Sequence, residues 1–468
     1  MLFNSWIFIG LVAITFTLYY QPCLARHQVL VLVLSSLTFY SYYRPVLVLL
    51  LLFSVGINIV SSYYVVYGPR RNRKLFAILG VVLNLSILAF FKYSPLLAKT
   101  FFHNTGSVGE FLVTMPLPIG ISFFTFQGIS LVIDVYKEKH IRNTDIVPES
   151  FLKHSKQILF FKGFFPQLIS GPIVKAHEFI PQIGVKTFAN IPWESVFKSL
   201  LTGYYLKMVI ADNLKDFTFW ISFPYFQSLA SLDLIVCLFG FSCQIFADFA
   251  GYSLIAIGLA RLFGYHFKNN FNFPYIALSL RDFWKRWHIS LSTFLMEYLY
   301  IPLGGNRKGV LRTYVNLMIV MLLGGLWHGA AWSYAIWGGV HGLALAIERV
   351  LSNHIHIKPS RAMNACKCLF VFGFVTLAWL LFKLPDFSQV LQYLQCIIDN
   401  STIKSDYAKL TYLVLYSLPV ILYHCIYLFK SKPSFGKCFR YEYVIYGGML
   451  FLIIVNSGSA GAFIYFQF

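Results

Sequence analysis

LLGGLWHGAAW, residues 322–332, sits in sequence apolar enough to cross a bilayer, yet it breaks its own pattern with Gly324, Gly325, His328 and Gly329. An ionisable side chain within a span is costly and marks a cavity by default. Glycines without a Cβ let a neighbouring helix or a substrate come close, and Trp327 and Trp332 are placed to wall such a cavity. Neutral imidazole, with an unperturbed pKa of about 6.5, suits removal of a proton from a hydroxyl near neutral pH. His328 is therefore the first candidate for chemistry. The same local pattern returns at Trp337-Gly338-Gly339-Val340-His341-Gly342, which makes His341 a second cavity or packing residue.

The surrounding composition agrees with a membrane setting. Of 468 residues, 58% are hydrophobic, 19% aromatic and only 12% charged, and the mean hydropathy is +0.66. This excludes an ordinary soluble domain and leaves one polytopic, all-α membrane domain over 1–468, with its motif-dense core at about 111–350. The opening MLFNSWIFIGLVAITFTLYY has no basic start and no small-residue cleavage site, so it reads as a retained helix. The formal charge of +20 lies in short clusters between apolar runs, which points to lipid headgroups and topology rather than nucleic acid. Eight cysteines include no C-x-x-C pair, so neither a metal site nor a disulfide framework is expected. No nucleophile elbow or phosphate-binding glycine loop is present, which removes serine hydrolases and ATPases.

Spans of roughly 20 residues fall at about 3–20, 28–44, 46–66, 75–92, 111–136, 156–174, 196–212, 229–262, 311–326, 330–349, 366–384, 409–429 and 441–457. Some are re-entrant: Pro166 and Gly171-Pro172 break one, and 229–262 is too long for one straight crossing. About eleven crossings remain. Basic clusters at Arg70–Lys74, Lys137–Arg142, Lys358–Lys367 and Lys430–Arg440 belong in the cytoplasm, which puts both termini outside and His328 toward the outer half. No internal transporter repeat is found.

SLRDFWKRWHISLSTFLMEYLYIPLGGNRKG, residues 279–309, carries the second set of candidates. Ser279 and Asp282 resemble a capping box, and Phe283, Trp287, Leu291, Phe294 and Leu295 recur at helical spacing, so an amphipathic helix is expected at the inner interface. Asp282 can pair with Arg286 or Lys285. Arg281, Lys285 and Arg286 suit either headgroups or the phosphates of a nucleotide-bearing donor. Trp284 lies beside them, and His288 follows one turn later. Asp248 in CQIFADFAGYS and Asp134 in SLVIDVY are the acids within apolar runs.

Taken together, LPIGISFFTFQGISLVIDVY (117–136), FFPQLISGPIVKAHEFIPQI (164–183), DFAGYS, NFNFPY (270–275), DFWKRWHISLS (282–292), YLYIPLGGNRKG (298–309), GGLWHGAAW and FIYFQF closely resemble the membrane-bound O-acyltransferase (MBOAT) superfamily, in its alginate O-acetyltransferase-like branch. The resemblance runs nearly end to end. It implies a ring of about eleven transmembrane helices, with re-entrant and interfacial helices, around a central tunnel. Carried over by residue, His328 is the histidine of W-H-G and His288 the second histidine, in R-W-H. Leu254 and Glu297 stand where family members often have Asp.

The function so implied is acetyl transfer from cytosolic acetyl-CoA toward an exported polysaccharide in a bacterial inner membrane, with a periplasmic or membrane-tethered acetyltransferase as partner. His328 would act as base and His288 as its support, with Arg281, Trp284, Lys285 and Arg286 holding the donor. Trp327, Trp332, His341 and Asp248 would line the substrate tunnel. No metal or permanent cofactor is implied. Two alternatives remain: a carrier-protein thioester as donor, as in D-alanyl transferases, and a transporter with a His328, His341 and Asp248 relay.

Overall fold

A computed structural model describes residues 1–102, 106–115, 117–138, 146–169, 171–355, 360–429, 441–459, 461 and 463–464. Part of the basic clusters at 137–142 and 358–367, all of 430–440, and most of the terminal FIYFQF lie outside the described residues. The chain forms two compact units, 1–200 with 254–268, and 201–253 with 269–468. Among the described residues all regular structure is helical.

The first unit is built on α1 (Trp6–Tyr19), α2 (Gln28–Ser41), α3 (Val46–Tyr67), α4 (Arg73–Phe101), α5 (Gly106–Thr114), α6 (Ile121–Lys137) and α7 (Phe151–Gly163). Ser5 and Ser150 start α1 and α7 by accepting a backbone N–H from Phe8 and Lys153, which satisfies one orphan donor of each first turn. Polar side chains join the apolar helices. Asn58 and Asn84 exchange amide hydrogen bonds at 3.2 and 3.0 Å, Lys162 Nζ donates to Ser54 Oγ at 2.8 Å, and Ser62 Oγ meets His154 Nε2 at 2.8 Å. Such pairs fix register where hydrophobicity alone cannot distinguish one apolar neighbour from another.

Elements leading into and forming the second unit are α8 (Trp193–Tyr204), a π-helical turn (Tyr205–Ala211), α9 (Asp212–Thr218) and α10 (Ser231–Leu262), with α8 and α10 crossing the unit boundaries. Then come α11 (Leu280–Arg286), α12 (Ile289–Leu295), α13 (Val310–His328), α14 (Trp332–His354), α15 (Arg361–Ala378), α16 (Phe387–Asp399), α17 (Tyr407–Phe429) and α18 (Glu442–Val455). α13 and α14 form a close antiparallel pair. A Cβ on Gly325 would lie 2.1 Å from the Tyr334 carbonyl oxygen, and one on Gly338 would lie 2.1 Å from that of Met321.

Seven helices among the described residues are long and apolar enough to cross a membrane, and two further apolar helices are shorter; about eleven crossings stays an expectation. α1 and α18 have 14 residues each, about 21 Å of helix, against the roughly 30 Å of a hydrocarbon core. The 229–262 run is one continuous helix, α10. Its most apolar window is 83% buried, against 22–39% in the other six, so most of that window packs against protein. The 111–136 run is split between α5 and α6, with Gly120 at φ +78° before the second helix. A side chain there would meet the Leu168 carbonyl oxygen at 2.2 Å.

Candidate active site

Within the second unit, α11 to α14 line a half-open chamber of about 550 Å³. Its walls include Leu291, Leu295, Met296, Val320, Met321 and Gly324, with Trp337 beside His328 and the Glu348 carboxylate at the Arg281 amide; Lys285 and Arg349 also line it. Along α14 the step from Trp337 to Arg349 is about 18 Å at 1.5 Å per residue. The chamber thus has a histidine near one end, cations near the other and apolar side chains between.

His328 is the last residue of α13, where the helix yields to the extended Gly329. It is 4% exposed. Trp327, Trp337 and Phe382 surround it at ring-centroid distances of 5.0, 5.3 and 5.0 Å. The glycine-rich break seen in the sequence therefore ends the helix and leaves the imidazole on the chamber wall. Trp337, to which the sequence assigns no role, lines the chamber, whereas Trp327, expected in the tunnel, touches the His328 ring but is not among the lining residues. Trp332 does not belong to the wall: it starts α14 and is 58% exposed.

The expected amphipathic helix is broken. Ser279 does cap α11, accepting from Asp282 N at 3.0 Å, but α11 stops at Arg286 and α12 begins at Ile289, with His288 between them at φ +44°, ψ +56°. Few non-glycine residues adopt this left-handed conformation, and Asn270 holds it in place. Its carbonyl oxygen accepts Ile289 N at 2.9 Å, while its side-chain oxygen accepts Ser290 N at 3.1 Å and Ser290 Oγ at 2.9 Å and meets His288 Nδ1 at 3.2 Å. Since the Ser290 N–H identifies that side-chain atom as the amide oxygen, His288 Nδ1 must be the donor. Nε2 then carries the lone pair.

His288 is completely buried and lies behind Trp327, 5.9 Å from its ring, with Phe249 at 4.6 Å. It is not among the chamber-lining residues. Burial pushes this imidazole, which lies outside the long apolar helices, down to about 3. The consequence for stability has a definite sign. With the folded value below the unfolded one of about 6.5, the contribution is complete above pH 6.5 and is lost as pH falls toward 3. A His288→Asn variant, whose side chain tolerates the left-handed backbone, is expected to lose less thermal stability than wild type between pH 7 and pH 4. Equal slopes in thermal melts would count against a neutral buried imidazole.

The basic trio divides. Arg281 and Lys285 line the chamber together with Trp284. Arg286 is an internal strut: it pairs with Asp282 at 2.9 Å, as expected at i, i+4, donates to the Asn272 carbonyl and lies over the Tyr427 ring. Arg349, which the sequence reading did not single out, takes its place in the chamber wall, with Asn306 Oδ1 at 3.5 Å.

Two expected tunnel residues lie elsewhere. Asp248 meets Lys207 Nζ at 2.8 Å and accepts Ile464 N at 2.7 Å, while the same ammonium reaches Asp212 at 2.7 Å. This buried ion triad ties α10 to the π-helical turn, α9 and the end of the chain. His341 is completely buried in an aromatic cage of Trp284, Trp337 and Phe374, at 5.2, 4.7 and 5.3 Å. Neither is among the chamber-lining residues, although His341 packs directly behind Trp284 and Trp337, which are. In the first unit, Asp134 is buried against His177 Nδ1 at 2.9 Å.

A family model described as MBOAT, membrane-bound O-acyltransferase family, matches residues 108–385. The chain is similar to a peptidoglycan O-acetyltransferase of Helicobacter pylori, 38% identical over 390 residues that cover 78% of this chain and 73% of that one. A probable alginate O-acetylase AlgI of Pseudomonas aeruginosa is 36% identical over 395 residues, covering 82% and 72%. A teichoic acid D-alanyltransferase of Bacillus subtilis is 26% identical over 353 residues, covering 71% and 84%.

Proposed function

We propose that this chain, which belongs to the membrane-bound O-acyltransferase family, moves an acetyl group from cytosolic acetyl-CoA toward hydroxyls of an exported or cell-surface polysaccharide. That it is a multi-pass membrane O-acyltransferase follows from the family and from its apolar helices. Donor, direction and partner are the proposal's own. The observation that carries it is the chamber with His328 near one end and Arg281, Lys285 and Arg349 near the other. Such a space suits an extended thioester arm whose phosphates stay with the cations.

In the proposed reaction the acceptor hydroxyl gives its proton to His328 as its oxygen attacks the thioester carbonyl. Collapse of the tetrahedral intermediate expels the CoA thiolate, which takes the proton back from the imidazolium. The acceptor is a hydroxyl of a periplasmic or membrane-tethered partner transferase that passes the acetyl group to the glycan. The setting is a bacterial inner membrane, with a ring of about eleven crossings and both termini outside. His288, its proton held on Nδ1, supports the site from behind Trp327. Asp248 and His341 lie outside the chamber lining, so they do not form a relay with His328 along its wall.

The donor end gives a direct test. Lys285→Ala combined with Arg349→Ala is expected to raise KM for acetyl-CoA by about tenfold or more while changing kcat little, because the lost contacts are made equally in ground and transition states. Initial rates of labelled acetyl transfer in membranes measure this. The resemblance to a D-alanyltransferase favours one second reading, a carrier-protein thioester. Membranes that transfer from an acylated carrier protein but not from acetyl-CoA would establish it instead.

A further inference from the structure

We infer that Glu348 is a positioning residue, whose carboxylate clamps the start of α11 so that Arg281 and Lys285 face the phosphates of the donor; the inference rests on the donor reading above. α11 has seven residues, too few for a helix to hold itself in water or at an interface. Its first amides find partners outside the helix. Leu280 N and Arg281 N both donate to the Glu348 carboxylate, the second at 3.1 Å. Asp282 N donates to Ser279 Oγ at 3.0 Å, and Phe283 N to the Ser279 carbonyl at 2.9 Å. Two of the donors that a helix start leaves unsatisfied are thus taken by one side chain of α14, reached across 68 positions in the chain.

The same clamp sets the direction of the cations. Arg281 and Lys285 are four residues apart, hence on one face of the helix, and both line the chamber. Asp282 and Arg286 pair with each other and fasten the other side. Glu348 itself borders the chamber beside Arg349. A carboxylate there opposes phosphate binding unless its negative charge is engaged, and two charge-assisted bonds to adjacent amides engage it. Only a carboxylate of this length offers two acceptor oxygens at that reach: glutamine offers one, and aspartate is a methylene shorter.

Binding of two probes to the purified full-length protein in nanodiscs separates positioning from mere packing. Acetyl-CoA carries the phosphates, whereas S-acetylpantetheine has the same thioester arm without them. Glu348→Ala is expected to weaken acetyl-CoA binding by about tenfold and to leave S-acetylpantetheine unchanged, and Glu348→Gln to fall between alanine and wild type. Hydrogen exchange of the Leu280 and Arg281 amides, followed in the same samples, is expected to accelerate in Glu348→Ala. Equal weakening of both probes, or of neither, overturns the inference, as does unchanged exchange. A wild-type protein that binds acetyl-CoA no better than S-acetylpantetheine overturns the donor reading instead, and the exchange data then still report whether the clamp exists.

Discussion

Replacing His328 by alanine is expected to lower acetyl transfer by about a hundred- to ten-thousandfold, the range that loss of a positioned general base produces, while the protein accumulates and folds as wild type. The separation of effects follows from where the side chain sits. His328 ends α13, so no helical turn beyond it depends on its side chain, and its neighbours Trp327, Trp337 and Phe382 pack on one another's surroundings as well as on the imidazole. His328→Gln sharpens the test, because an amide can hydrogen-bond the acceptor hydroxyl but cannot take its proton at neutral pH. Both variants should bind acetyl-CoA with near wild-type affinity, since the donor's phosphates lie with Arg281, Lys285 and Arg349. Transfer by His328→Gln at more than a tenth of the wild-type rate would remove the imidazole from the role of base.

How much of this site was legible in the sequence depended on whether the deciding interaction was local. Ser279 capping Asp282, the Asp282–Arg286 pair and the break at His328 each involve residues within a turn or two, where spacing alone carries the information. The fate of Arg286 does not: it is turned away from the chamber by Asn272 and by Tyr427, whose nearness on α11 only the folded chain creates. The break at His288 was hidden for the same reason. Phe283, Trp287, Leu291 and Phe294 keep helical spacing straight through it, and the left-handed residue is held by Asn270, which sits in a separate motif. Glu348 carries no signal in the sequence, because its partners are backbone amides that no side-chain pattern announces.

Apolar periodicity had a similar limit. It locates the long apolar helices but misses α9 and α16, and it cannot distinguish lipid from protein as the surroundings, since both reward the same side chains. The length of α10 marks it as too long for one straight crossing, but nothing in its sequence shows that most of its apolar window is buried by protein. Asp248, placed on that helix, is expected in the tunnel only through the family resemblance. Its partner Lys207 comes from the π-helical turn, and the pairing accounts for the acid without a chamber.

Gly338→Ala is expected to be the most damaging of the glycine substitutions in this region, lowering both the amount of folded protein and its activity. The added Cβ would stand 2.1 Å from the Met321 carbonyl oxygen and 2.8 Å from its carbon, and backbone cannot step aside as a side chain can. Relief requires α13 and α14 to separate, but Gly325 makes the reciprocal approach, with its Cβ position 2.1 Å from the Tyr334 oxygen. The strain therefore spreads along the pair and costs about 3 kcal/mol or more, at the upper end of overpacking. Because His328 and Trp337 sit on these two helices, separating them also opens the wall around the imidazole. The neighbouring glycines provide internal controls. At Gly342 the nearest atom is the flexible Met318 Sδ at 2.9 Å, and at Gly339 it is Leu322 Cδ2 at 3.5 Å, so Gly339→Ala and Gly342→Ala should fold and work nearly as wild type. Thermal melts by fluorescence-detected size exclusion, paired with acetyl-transfer rates, order the three variants. A Gly338→Ala protein as stable as Gly339→Ala would mean that α13 and α14 do not meet as closely as their backbones here.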